Sequence, residues 1–108
     1  MRAVVTRGAV YWIDLQKRRP CVVVSSPEVL GVDIWQAHVV PLTSNTDRAG
    51  LAGNVLLEST VTGLPRDSVA VPLGLELVDR GWLVDRTGQL PPVLLDAIDD
   101  GVRSVLGL

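Results

Sequence analysis

Two apolar stretches, AVYWIDL at 9 to 15 and PCVVVSS at 20 to 26, are separated only by Gln16 to Arg19. Four residues cannot carry a crossover between parallel strands, so the two stretches predict an antiparallel hairpin. In the first, Val10, Trp12 and Asp14 fall on one face and Tyr11, Ile13 and Leu15 on the other. Neither face is cleanly polar, as expected of a strand in a small closed barrel rather than one side of an open sheet. Val4 and Val5 extend the strand backwards, with Thr6 to Gly8 as an interruption. Pro20 holds Arg19 extended and belongs at the start of the second strand or on an edge.

Residues 27 to 33 read as a turn-rich connection, and IWQAHVVPL at 34 to 42 as a third, long strand with Pro41 marking a bend. TSNTDRAGLAG at 43 to 53 is a polar loop of the length that carries function. Residues 55 to 58 and 68 to 71 give two further strands. After Pro72 the pattern suggests a turn, a short helix and a brief strand around residues 82 to 84. The last stretch, LPPVLLDAIDDGVRSVLGL, predicts a helix that starts at its prolines. Leu94, Ile98, Val102 and Val105 or Leu106 form its apolar stripe, and Gly101 permits close packing. The sum is about five short strands followed by one helix.

With 108 residues, the chain fits one domain, residues 1–108. A hydrophobic content of 47% excludes a disordered chain. No apolar run reaches the roughly 20 residues of a membrane span, and no secretory pattern follows Met1, so a cytoplasmic protein is expected. Cys21 is the only cysteine and, at the head of a valine run, reads as a buried small hydrophobe. Residues 1–66 hold seven basic and five acidic side chains, against three and seven in 67–108. The first part is therefore suited to a polyanion and the last to a basic or apolar partner.

Lys17, Arg18 and Arg19 form the densest positive cluster. It reads either as a solvated hairpin tip or as an anion site in which Arg19, at the root of the tip, clasps phosphate with paired donors. Lys17 and Arg18 suit the steering or gripping of backbone phosphates. Thr43, Ser44 and Asn45 supply hydroxyls and an amide where the third strand ends, either as turn formers or, if the barrel sets that end beside Arg19, as partners in an anion site. Arg48 is a further candidate for phosphate. His38 is alone and suits a strand wall, and no Cys/His grouping or glycine loop points to a metal or cofactor. Trp12, Trp35 and Trp82 read as core or barrel-end residues, any exposed one being able to stack a base.

Taken together, RGAVYWIDL (7–15), RRPCVVVS (18–25), VVPLTSN (39–45), DSVAV (67–71) and LLDAIDDGVRSVLGL (94–108) resemble, in order and spacing, the MazF/PemK family of toxin ribonucleases. The resemblance implies a mainly β, small SH3-like (PemK/CcdB-like) barrel with a C-terminal helix, a homodimer, and a cognate antitoxin as partner. It also implies metal-independent cleavage of single-stranded RNA at short sequences without a cofactor. The arginine before the proline and the threonine after PL, Arg19 and Thr43 here, are what the resemblance assigns to catalysis. Lys17, Arg18, Ser44, Asn45 and Arg48 are then RNA-binding candidates. Two features depart from the family pattern: Ala9 stands where an acidic residue is usual, and the run before Arg18 lacks the usual Gly-Ser-Glu-Gln type segment. The competing reading is a barrel that poisons a protein target such as DNA gyrase, as CcdB-like toxins do.

Overall fold

The hairpin forms as the four-residue link requires. In the computed structural model, which describes residues 4–108, β1 (Ala9–Ile13) and β2 (Arg19–Val23) run antiparallel, with Val10 opposite Val22 and Ile13 opposite Arg19. Then follow α1 (Pro27–Leu30), β3 (Gln36–Thr43), β4 (Val55–Leu57), α2 (Ser59–Thr62), β5 (Ser68–Ala70), β6 (Glu76–Asp79), β7 (Leu83–Gln89) and α3 (Pro92–Leu106). The strands make a curled antiparallel sheet in the order β4-β5-β3-β2-β1-β7, with β6 also on β3.

The long β3 is the spine. One edge pairs with β2, and the other pairs first with β6, Gln36 to Val39, and then with β5, Leu42 and Thr43. Pro41 stands between the two partners, and its carbonyl accepts from Val71 N at 3.0 Å. A residue in a strand turns its N–H and C=O to the same edge, so the donor that proline lacks would face the gap between β6 and β5. The bend read at Pro41 is this change of partner.

Both faces of the hairpin are buried, which explains why neither is polar. Ala9, Tyr11, Ile13, Cys21 and Val23 pack with Val39 and Val78 on one side. Val10, Val22, Val40, Leu42, Leu57 and Ile98 pack on the other, beneath α3. α3 begins at Pro92 and ends on Gly107 in the left-handed conformation, φ 73°. Its buried line is Leu95, Ile98 and Gly101. The expected stripe was therefore set too far toward the end: Val105 is 39% and Leu106 54% exposed. At Gly101 the helix meets Gly53 and Pro72 so closely that a Cβ would stand 2.3 Å from the Gly53 carbonyl oxygen. Arg7 binds the helix to the sheet, donating to the Val24 carbonyl and to Asp99.

Three expectations need correction. Seven strands are present among the described residues rather than about five, because β6 and most of β7 lie in the stretch read as turn and helix. Val4 and Val5 are in no strand, although Val5 is buried. The 27–33 connection holds a helical turn, α1, whose start is fixed by the Ser26 hydroxyl accepting from Val29 N at 3.2 Å and by Pro27. Arg80 holds the end of that turn, donating to the carbonyls of Val29, Leu30 and Gln36 at 3.1–3.2 Å. Among the described residues, no helix is long and apolar enough to cross a membrane.

Candidate active site

Arg19 opens β2 and Thr43 closes β3, so both lie at one end of the sheet's middle pair. Cys21 faces Pro41 and Val22 faces Val40; the same register continued by two residues sets Arg19 opposite Thr43. The two residues share the alternation of Cys21 and Pro41, and with it one face. Pro20, paired with Trp12, keeps the start of β2 in line. These two sequence candidates are thus brought to adjacent positions on neighbouring strands, although no hydrogen bond joins their side chains.

Each is engaged elsewhere. Arg19 Nη2 donates to Glu76 Oε1 at 2.6 Å, across side chains that are 42% and 33% exposed. The Thr43 hydroxyl oxygen accepts from Asn45 N at 3.2 Å, which leaves its proton free to donate. Asn45 then caps the 3₁₀ turn Thr46–Gly50 by accepting from Asp47 N at 3.2 Å, so its amide shapes the loop. That loop carries Arg48, exposed and without an ion pair among the described residues, whose carbonyl accepts from Asn54 at 3.0 Å.

Ser44 follows Thr43 and points to the other face. There it lines a cleft of about 270 Å³ with Trp12, Pro20, Leu64 and Arg66. Arg18 stands beside this cleft, its guanidinium carbon 5.4 Å from the centre of the Trp12 ring, and pairs with Asp85. Lys17 is exposed and makes no ion pair among the described residues. The basic triplet therefore divides by face: Arg19 joins Thr43, Arg18 joins the Trp12 cleft, and Lys17 stays in solvent.

Cys21 is no nucleophile. Burial, with a smaller contribution from Glu76 and against the opposing charge of Arg19, pushes its thiol up to about 12. His38 is exposed on β3 and belongs to a separate contact: its backbone N donates to Ser25 Oγ at 2.7 Å, and its Nδ1 lies 3.4 Å from the same oxygen. Trp35 is exposed, and Trp82 marginally so. Among the described residues no cluster of three or more His, Cys, Asp and Glu side chains is gathered as a metal ion requires. Sequence reading missed Glu76, Asp85 and Arg66. Glu76 reaches the site only through the β3–β6 pairing, which no local motif announces.

Comparison with known proteins agrees with this fold. The family of PemK-like, MazF-like toxins of type II toxin-antitoxin systems matches residues 6–106. Endoribonuclease MazF2 of Mycobacterium bovis and endoribonuclease MazF6 of Mycobacterium tuberculosis are each 36% identical over 113 residues, covering 97% of this chain and 99% of theirs. Among solved structures, a mycobacterial endoribonuclease in complex with its cognate antitoxin superimposes with a TM-score of 0.82 at 23% identity, over 98% of this chain and 97% of that one. A MazE-MazF complex from Deinococcus radiodurans gives 0.80 at 22% identity, over 98% of both chains. At those identities the structures speak for the fold.

Proposed function

Since the chain belongs to the PemK-like, MazF-like toxins of type II toxin-antitoxin systems, we propose that it is an endoribonuclease whose catalytic pair is Arg19 and Thr43. The observation that carries the site assignment is the β2–β3 register, which aligns these two residues on one face at one end of the sheet.

The reaction is attack of a ribose 2′-hydroxyl on the adjacent phosphate. A bond forms from 2′-oxygen to phosphorus, the bond to the 5′-oxygen breaks, and a cyclic phosphate and a free 5′-hydroxyl result, without a metal. Negative charge builds on the phosphoryl oxygens along the way. Arg19 offers paired N–H donors to them, and the Thr43 hydroxyl donates to one oxygen or orients the attacking group. A guanidinium, which holds its proton throughout, is a charge stabiliser and not a free base. An unpaired base on the other side of the strand ends fits the Trp12–Ser44–Arg66 cleft, where an aromatic plane, a hydroxyl and a guanidinium meet. Lys17, Arg18, Asn45 and Arg48 flank the path and serve the backbone. Such a cleft requires single-stranded substrate and selects short sequences.

Residues 1–108 act as one toxin domain, working as the homodimer typical of the family and held in check by a cognate antitoxin, as in the solved complexes of its relatives. The reading as a protein-targeting barrel is not favoured, because the relatives are named endoribonucleases. The test is sequencing of RNA ends after brief induction of the wild-type chain beside Arg19→Ala and Thr43→Ala. A recurring short cut site with a cyclic phosphate is expected in the first. Loss of one oxyanion-type donor costs about 10²–10³-fold in kcat. Unchanged cutting by either variant refutes the assignment.

A further inference from the structure

The guanidinium read above as the phosphate ligand already holds an anion. Arg19 donates to Glu76 at 2.6 Å. Glu76 opens β6 opposite Val39, four residues back along β3 from Thr43, whereas Arg19 aligns with Thr43 itself. The bond therefore ties the guanidinium to a strand position four residues removed from the threonine it would work with. Both charges also act on the buried Cys21 thiol, Glu76 raising and Arg19 lowering its pKa, as expected of two groups leaning over the same stretch of β2. Among the described residues the other ion pairs use different side chains, Arg7 with Asp99, Arg18 with Asp85 and Arg103 with Asp100, so none of them competes for Arg19 or Glu76.

A carboxylate and a phosphoryl group accept the same N–H donors of a guanidinium. They compete for Arg19 rather than share it in full. Both side chains are partly exposed, so the pair is solvated and exchangeable, not a locked buried bridge. We propose that Glu76 is a positioning residue that occupies Arg19 in the free protein and is displaced by the scissile phosphate when RNA binds. The inference rests on Arg19 being the phosphate ligand. A contact that stabilises only the free protein raises KM and leaves kcat alone.

The test is Glu76→Gln, which keeps the shape and removes the charge. The probes are an oligoribonucleotide carrying the mapped cut site and the same oligomer with a 2′-deoxy nucleotide at that site, which binds without being cut. At low salt the variant binds the uncut oligomer about two- to fivefold more tightly, the range of a partly exposed pair. Its KM falls by the same factor at unchanged kcat, and the difference closes as salt rises. Removing any negative charge near RNA also helps binding, so the cycle is repeated on Arg19→Ala. There the proposal expects Glu76→Gln to gain nothing. An equal gain in both backgrounds means diffuse charge and overturns the proposal, as does weaker binding or a lower kcat in the single variant. Glu76→Asp, a methylene shorter, shifts KM in the same direction and guards against a glutamine-specific folding defect. Failure of the underlying reading looks different: Arg19→Ala alone would then bind and cut like the wild type.

Discussion

Replacing Gly101 by alanine sets two opposed effects against each other at the contact between α3 and the loop that follows the site. A glycine inside a helix costs about 1 kcal/mol relative to alanine, so propensity alone expects a stabilised protein. The structure expects the reverse. The new Cβ would lie 2.3 Å from the Gly53 carbonyl oxygen and 2.6 Å from Pro72 Cγ, and the nearer atom is backbone that no rotamer change can move aside. Gly53 itself has φ +85°, a conformation side chains rarely adopt, which limits how the loop can adjust. Overpacking of this kind costs about 1–3 kcal/mol, and a backbone clash belongs in the upper half of that range. The net expectation is a loss of about 1–2 kcal/mol. With a urea slope of roughly 1–1.5 kcal/mol per molar for a chain this size, the midpoint falls by about 1 M at unchanged slope. Protomer concentration is held fixed, since association shifts the midpoint by mass action. Ser104→Ala, at an exposed position on the same helix, isolates the propensity effect and is expected to leave stability level or slightly raised. A Gly101→Ala midpoint equal to or above the wild type would refute the close-packing argument.

Other expectations concern burial and anchoring. The Cys21 thiol, lifted to about 12 from the usual 9.0, is a raised acid, so the stability it contributes is complete below about pH 9 and is lost between 9 and 12. At pH 10 the loss is about 1 kcal/mol, and Cys21→Ala should flatten that part of the pH–stability curve; an identical slope in both proteins would count against it. The native thiol should resist alkylation at pH 8 and react once unfolded in urea. Arg80→Ala removes three bonds to carbonyls around α1, and a loss of about 1–2 kcal/mol, with faster amide exchange in residues 27–36, is expected. Exchange that stays unchanged would show that α1 is held by other contacts.

Much of the fold is legible in local pattern because much of it is local. The hairpin follows from a four-residue link, and the helix from its prolines and the spacing of Leu94, Ile98 and Val102. The stripe was set off-centre because Gly101, which looks like an interruption, is the point of nearest approach. β6 and β7 were obscure for a different reason. Leu77 is exposed and Val78 buried, and β7 runs into Asp85, Arg86 and Gln89, all exposed, so polarity does not mark their buried faces. α1 carried its signals, Ser26, Pro27 and Gly31, in a segment too short for periodicity to speak. The Arg19–Thr43 alignment was readable as two strand ends that a barrel would bring together. Glu76 was not, since its place beside Arg19 depends on a pairing between residues 37 apart in the chain, Val39 with Glu76.

The partner of β1 on its outer edge has a consequence in time. β1 pairs with β2 almost at once along the chain, but its other edge waits for β7, where Ala9 meets Gln89. Closing that loop spends entropy long before the contact returns any stability, so the step is slow compared with the hairpin. On a ribosome, where the chain emerges from its amino end, Arg19 sits in a sheet that lacks one flank until residue 89 is free. The residue assigned to cutting RNA is thus made early and completed late, with the machine that makes it among the nearest RNA.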